Sequence, residues 1–302
     1  MKHKFGGPWT QIKLELLSRY LAFFNTALQN QPSEENRFRR FYIDAFAGTG
    51  ECEIKLAEDQ HCTIEGSAKI ATSVKPPFDE IHLVDLKNEH VAELKRLVAP
   101  AGTKIVVHEG DANTALKKIV NGVDWKRSRG VLFLDPYGMT VDWTTLELIA
   151  ATKALDVWYL FPLSAIYRQA ANRLDKVDEH KAAKLDSVLG TSEWRQAFYA
   201  DSTQESLFEA AKDARRTAGP FDIASYVHRR LSAVFKGWVS QPIYLPDSGA
   251  PMFALFFAVS NPSEAAVKLS KRAAEHLFEM LKQNKIGKRQ PPGGGGNGDL
   301  FS

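Results

Sequence analysis

Apolar residues along this chain fall into short strand-like runs that alternate with helical patterns. In the first helical pattern, residues 9–28, apolar side chains recur at helical spacing, and Lys13 and Arg19 lie off that stripe. The predicted strands are residues 41–45, 80–85, 104–108, 130–135 and 156–161. Further helices are predicted at residues 88–98, 112–120 and 143–151. Strands that alternate with helices indicate a parallel sheet covered on both faces.

Two later β-rich runs, residues 238–245 and 252–260, are joined by the turn-forming residues 246–249. An antiparallel hairpin at the edge of a parallel sheet is unusual among dinucleotide-binding folds. It is expected of S-adenosylmethionine-dependent methyltransferases, whose sheet has seven strands. The pattern therefore predicts an α/β fold with a seven-stranded, Rossmann-like methyltransferase sheet. We expect that sheet to be mostly parallel, with a C-terminal antiparallel hairpin and a helical insertion.

Four segments follow from this pattern. Residues 1–162 carry the N-terminal helix and a Rossmann-like cofactor-binding core, and residues 163–236 form the helical insertion. A terminal β-hairpin and helix, residues 237–286, complete the core, and residues 287–302 form a tail predicted to be disordered. Residues 163–235 contain eleven Lys and Arg against ten Asp and Glu, which argues against a basic nucleic-acid patch. The insertion is either a platform for a substrate or partner, or a thickening of the scaffold.

Composition narrows the class of protein. The chain has 302 residues, 44% hydrophobic and 25% charged, as in an ordinary globular protein. No apolar run approaches the roughly 20 residues that span a bilayer, so we expect no membrane association. The two cysteines and the lack of a signal-peptide pattern favour a cytoplasmic location. A net charge of +3 does not by itself imply a nucleic-acid partner. The ends of the chain are basic, which is compatible with contacts to phosphates and also with a solvated helix face.

The most informative segment is Asp44-Ala45-Phe46-Ala47-Gly48-Thr49-Gly50, which follows the first predicted strand. Glycines at this place let a cofactor approach bare backbone. The nicotinamide fingerprint needs a third glycine three residues after Gly50, and none is present. An acid on the motif itself suits a cofactor that carries a charged amine beside a nucleoside, such as S-adenosylmethionine (SAM). The alternative is an ordinary strand-to-loop turn.

Four acids stand at predicted strand ends, where ligands collect in an open parallel sheet. They are Asp44, Asp85, Asp111 and Asp135. We expect Asp44 to accept a hydrogen bond from the methionine ammonium, directly or through water. The carboxylate of Asp85 is expected to hold both ribose hydroxyls. Asp111 is expected to accept from the adenine amino group. Taken singly, each acid could equally be a solvated strand-end residue.

Backbone and apolar groups complete the predicted cofactor site. The methionine end is predicted to contact the residues of the glycine turn: Phe46, Ala47, Gly48 and Gly50. Leu86 follows the ribose-binding acid and is assigned to the same site. The Ala112 backbone is expected to contact the adenine ring.

The segment Asp135-Pro136-Tyr137-Gly138 closes the fourth predicted strand, beside the expected position of the transferable methyl group. Asp135 can accept from a target amine, Pro136 stiffens the turn, and Tyr137 can stack on a flat substrate. The segment resembles the Asp/Asn-Pro-Pro-Tyr motif of amino methyltransferases, but tyrosine stands third and glycine fourth. This departure weighs against adenine-N6 chemistry. A tight structural turn is the alternative.

No metal site is predicted. Cys52, His61 and Cys62 lie close in sequence, but they form no CxxC pair and lack a fourth ligand. The chain also lacks a P-loop, an HExxH motif and a recognisable Ser-His-Asp arrangement.

These segments together resemble the three-Cys-motif partner protein family. The resemblance covers roughly residues 9–165 and is carried by three segments: Tyr42 to Gly50, Glu65-Gly66-Ser67-Ala68 and Leu134 to Gly138. It implies a bacterial or phage protein with a methyltransferase-like Rossmann domain. It also implies a neighbour protein that carries a three-cysteine motif like that of radical SAM proteins. No substrate is implied.

Three hypotheses follow. The leading one is a SAM-dependent methyltransferase acting on an amine, including a nucleobase of nucleic acid. The second is a non-catalytic partner of the three-Cys-motif protein that keeps the fold. The third, a metal-dependent nuclease, requires the four acids to converge around a metal ion.

Overall fold

The computed structural model describes residues 8–57, 60–200, 214–246, 249–283 and 286. A mixed sheet of eight strands forms its centre. The five mutually parallel strands are β1 Arg39–Asp44, β4 Glu80–Asp85, β5 Lys104–Glu109, β6 Ser128–Leu134 and β7 Leu155–Phe161. The remaining three strands are β10 Trp238–Val239, β11 Ile243–Leu245 and β12 Phe253–Val259, and β12 runs antiparallel to its neighbours.

The strand order is β10-β12-β7-β6-β1-β4-β5, and β11 also pairs with β12. From β1 the chain first builds outward through β4 and β5, and then returns to build the other side through β6 and β7. This order and the antiparallel β12 confirm the predicted Rossmann-like methyltransferase fold. Eight strands are found instead of seven because β10 and β11 pair with successive stretches of β12. The reversal of strand order between β1 and β6 marks the crevice where such sheets bind ligands.

Helices cover both faces of the sheet. They are α1 Pro8–Ala27, α2 Ser67–Ser73, α3 Asn88–Leu94, α4 Ala112–Gly122, α5 Trp143–Ala151, α6 Leu163–Gln169, α7 Glu179–Leu189, α8 Trp194–Phe198, α9 Pro220–Val234 and α10 Glu264–Lys282. The first core packs α1, α2 and α10 against one face, and the second packs α4, α5 and the insertion helices against the other. β7 shows why: Trp158 belongs to the first core and Tyr159 to the second, because side chains alternate along a strand.

The structure differs from the sequence-based expectation in two further places. The segment 51–65 forms a hairpin, β2 Glu51–Ala57 and β3 Gln60–Glu65, where no strands were predicted. Helix α3 ends at Leu94 and not at residue 98. The N–H groups of Arg96 and Leu97 bond to carbonyls three residues back, so the last turn tightens and the α-helix stops.

The insertion is mostly helical, as predicted. In its described part it contains α6 to α9, a 3₁₀ turn at Leu174–Lys176 and a small antiparallel pair, β8 Tyr199–Ala200 and β9 Arg215–Arg216. The tail predicted to be disordered, residues 287–302, lies outside the described residues. Within the described ranges, no helix combines the length and apolar character that crossing a membrane requires.

Candidate functional site

The candidate site lies at the edge where the parallel strands end. Two cavities open there: a larger cavity of about 440 Å³ and a smaller cavity of about 370 Å³. Phe46 and Tyr137 line both, so these two rings form their shared boundary. Ten of the twelve site residues predicted from the sequence line one cavity or the other: Phe46, Ala47, Gly48, Asp85, Leu86, Asp111, Ala112, Asp135, Pro136 and Tyr137. Asp44 and Gly50 do not.

Backbone hydrogen bonds hold the turn after β1 from both sides. The Ala45 N–H donates to the Phe133 carbonyl at 3.2 Å, and the Ala47 N–H donates to the Val84 carbonyl at 2.9 Å. The chain then reverses at Gly48, whose φ of +62° is a conformation that glycine adopts without strain. The turn thus lies along the larger cavity with exposed backbone.

Gly50 supports this turn from beneath. Its carbonyl accepts a hydrogen bond from the Gly66 N–H at 2.9 Å. A Cβ on Gly66 would lie 3.0 Å from the carbonyl carbon and oxygen of Gly50. The backbone segments around Gly50 and Gly66 can therefore approach this closely because residue 66 is glycine. The structure therefore places Gly50 in the scaffold of the turn, and its predicted cofactor contact stays a prediction.

Asp44 is fully buried below the turn. Its carboxylate accepts from the Phe46 N–H at 3.2 Å and from the Tyr42 hydroxyl at 3.1 Å, and Ser67 also bonds to it. Burial raises the pKa of Asp44 from 3.8 to about 6. Direct contact with a ligand in the larger cavity is not available to a carboxylate placed in this way, so its predicted bond to an ammonium group would need a shift or a bridging water.

Asp85, at the end of β4, organises the boundary between the turn and the smaller cavity. It accepts from the Gly48 N–H at 3.0 Å and from the Lys87 N–H at 2.9 Å. His90 Nδ1 lies 2.9 Å from Asp85 Oδ1. A carboxylate offers about four acceptor positions, and two N–H donors and the His90 contact leave one of them, on Oδ2, without a partner among the described residues. The predicted grip on both ribose hydroxyls would require one of these bonds to open.

The smaller cavity brings together the residues predicted for the adenosine end. Leu86 lines this cavity and leaves 72% of its surface exposed. Asp111 caps helix α4: its Oδ1 accepts from the Thr114 N–H at 2.9 Å and from the Thr114 hydroxyl at 3.0 Å. Both bonds use Oδ1, so Oδ2 keeps its acceptor capacity. Ala112 begins α4 and lines the same cavity.

Asp135 forms an ion pair that the sequence did not predict. Its Oδ2 contacts Nζ of Lys13, which comes from helix α1, 122 residues away in sequence. Both side chains are largely buried, with 11% of Lys13 and 24% of Asp135 exposed. Pro136 is buried next to them, whereas Tyr137 exposes 55% of its surface at the cavity mouth.

Helix α1 forms one wall of the larger cavity. Its first turns contribute Trp9, Thr10, Lys13 and Leu14. Lys13 was predicted only to lie off the apolar stripe of this helix. The pattern of α1 held no signal for this role, although Lys13 lies four residues after Trp9 and so shares a helix face with it.

Within the described residues, no set of three or more His, Cys, Asp and Glu side chains could hold a metal ion. The side chains of His61 and Cys62 lie outside the description, and burial raises the pKa of the Cys52 thiol. The four strand-end acids each have separate partners, so the geometry gives no support to the nuclease hypothesis.

Comparisons with known proteins give only loose structural likenesses. No family model and no curated protein matches this chain. Among solved structures, a Legionella pneumophila protein described as DUF519 is similar at 13% identity and a TM-score of 0.48, covering 91% of this chain and 94% of its own. A putative SAM-dependent methyltransferase from Listeria monocytogenes is similar at 10% identity and a TM-score of 0.34, and the match covers 79% of this chain and 98% of the Listeria chain. The plantazolicin methyltransferase BpumL, solved with SAH, is similar at 9% identity and a TM-score of 0.28, and the match covers 81% of this chain and 84% of BpumL. With TM-scores below 0.5, these likenesses carry no argument about fold, ligand or substrate.

Proposed function

We propose that this protein is a SAM-dependent methyltransferase that acts on an amine, with the amino group of a nucleobase as the leading acceptor class. The observation that carries the proposal is the pair of cavities on either side of the Phe46 and Tyr137 rings. They lie at the strand-order switch of a methyltransferase-like sheet. Each volume falls within the range of about 300–1,000 Å³ that is typical of small-molecule sites.

The residues suggest how SAM would lie. The adenosine end fits the smaller cavity, where Leu86 offers an apolar surface to a flat ring and Asp111 Oδ2 can accept from an amino group. Asp85 keeps one acceptor position for a ribose hydroxyl. The methionine end would follow the glycine turn into the larger cavity. This direction brings the sulfonium toward Asp135.

Methyl transfer asks little more of the protein than alignment. The sulfonium carbon is already electrophilic, so holding an amine in line with it supplies much of the rate. Asp135 can accept an N–H from that amine and favour the charge that develops on nitrogen. Tyr137, exposed at the mouth, can stack on a flat acceptor. The larger cavity has this combination of carboxylate and exposed ring.

Isothermal titration with SAM and with its demethylated product SAH tests the cofactor half of the proposal. We expect saturable binding of both by the intact chain. An absence of binding by protein with a folded circular dichroism spectrum would refute the proposal.

The acceptor half is tested with methyl-labelled SAM. Label transfer to single-stranded RNA or DNA is the expected result, with poly-lysine and casein as comparison acceptors. Binding of SAM without transfer to any of these would favour the non-catalytic partner of a three-Cys-motif protein. That partner role rests on the sequence resemblance alone and stays a prediction.

A further inference from the structure

The Lys13–Asp135 ion pair occupies the position where the proposed reaction needs its acceptor. Lys13 reaches the larger cavity from α1, and its ammonium contacts one oxygen of Asp135. No other hydrogen bond to the Asp135 side chain occurs among the described residues. The second oxygen, Oδ1, is therefore left for a ligand.

The other charges near this pair are already balanced or set back. Glu51, on the cavity rim, is paired with Lys69, whose Nζ lies 2.5 Å from Glu51 Oε1. Asp44 is buried below the turn with its own donors. The negative charge of Asp135 is thus neutralised mainly by Lys13.

The surroundings of the pair are mostly apolar. Trp9 and Leu14 from α1 line the cavity together with Leu160 and Phe253 from the sheet. A charged group entering such a cavity loses hydration and needs a counter-charge inside. Since Lys13 already holds Asp135, a second ammonium beside this pair would find no free counter-charge among the described residues. An uncharged amine needs only a hydrogen-bond acceptor, and Asp135 Oδ1 supplies one.

We infer that Lys13 is a positioning residue that balances the charge of Asp135, leaves Oδ1 to the acceptor, and restricts that acceptor to uncharged amines on flat rings. Protonated alkylamines, such as a lysine side chain, are excluded by the same pair. The inference rests on the proposed function and adds the acceptor class to it. Tyr137 contributes the stacking surface that a flat ring would use.

The charge-balance step can be tested without knowing the acceptor. In Lys13→Ala, Asp135 loses its counter-charge and a channel of lysine shape opens beside it. We expect n-butylammonium to bind this variant at least about tenfold more tightly than it binds the wild type, measured by ligand-observed NMR with SAH present. Lys13→Met removes the charge but fills the channel, so it should bind butylammonium weakly. The double variant Lys13→Ala/Asp135→Asn should lose the gain.

Thermal melting of each variant confirms that it is folded, and Lys13→Arg serves as the charge-keeping control. Equal butylammonium binding by the wild type and Lys13→Ala would overturn the inference. It would also be overturned by wild-type label transfer to poly-lysine at the rate seen with nucleic acid, or by label on Lys13 itself. SAH affinity is measured on the same samples. An absence of SAH binding would refute the proposed function. Normal SAH binding without the gain in butylammonium affinity would refute only the role of Lys13.

Discussion

The buried carboxylate of Asp44 gives a quantitative test of how the glycine turn is built. Asp44 has no exposed surface, and Tyr42, Ser67 and the Phe46 N–H all donate to it. Asparagine at this position keeps the shape and one acceptor oxygen while removing the charge. After the hydroxyl of Tyr42 or Ser67 rotates, it can accept a hydrogen bond from the side-chain amide of the asparagine, so Asp44→Asn should fold.

The magnitude follows from the pKa of Asp44, which burial raises from 3.8 to about 6. Each pKa unit corresponds to about 1.4 kcal/mol, so this rise corresponds to about 3 kcal/mol. Because the folded-state pKa is the higher one, this contribution to stability is complete below about pH 4. It is lost as the pH rises through 6. The asparagine of the Asp44→Asn variant has no proton to lose in this range, so the variant lacks this dependence.

The free energy of unfolding of wild type and Asp44→Asn should therefore diverge with pH. Urea unfolding at pH 4, 6 and 7.5 should show the variant gaining about 3 kcal/mol relative to the wild type across this window. A difference that stays constant with pH would show that Asp44 does not ionise with a raised pKa, and would refute the reasoning.

The same variant tests the electrostatic link to the ligand. If the ionised Asp44 favours a cationic ligand above the turn, wild-type affinity for SAM should fall below pH 6, where Asp44 takes up a proton. The affinity of Asp44→Asn should then be lower at pH 7.5 and lack this dependence. Equal affinities at pH 7.5 would show that Asp44 serves the turn alone.

Two further variants probe the cavities. Leu86→Ala should weaken SAH binding by about tenfold, because the contact proposed between this exposed leucine and the adenine ring is lost. Val98→Ala, at another exposed apolar position, should leave SAH affinity unchanged. Equal SAH affinities of the two variants would show that Leu86 is not part of the site. Gly66→Ala should lower both the melting temperature and SAH affinity, because the new Cβ meets backbone at 3.0 Å. Gly122→Ala, with open space around its Cβ, should not lower either.

The sequence predicts the sheet well because its strands are buried on both faces. Residues 131–134 are all apolar and residues 80–85 contain three apolar side chains, and an acid ends each run. The C-terminal hairpin could equally be predicted from its two β-rich runs and the turn-forming residues between them. The hairpin of β2 and β3 was missed although residues 51–56 alternate polar and apolar side chains.

The candidate site is less predictable, since its groups come together only through tertiary packing. Strand-end acids can be placed at one edge from the order of strands, but their hydrogen-bond partners cannot. Asp44 is sealed below the turn, and Asp85 is committed to Gly48 and Lys87. Lys13 could not be assigned to Asp135 from the pattern of α1, since a lysine off an apolar stripe usually faces solvent.

Helix α1 precedes the βαβ alternation, yet two polar contacts fix it to the sheet, one at the start of β7 and one beside the larger cavity. Near its middle, the Tyr20 hydroxyl donates to Asp156 at 2.6 Å, and Ser270 from α10 donates to the same carboxylate at 3.1 Å. Near its start, Lys13 meets Asp135. A buried hydrogen bond that loses its partner costs about 1–3 kcal/mol, so α1 cannot rotate or slide without breaking favourable contacts at both places. These contacts hold the wall that α1 contributes to the larger cavity in place against the sheet.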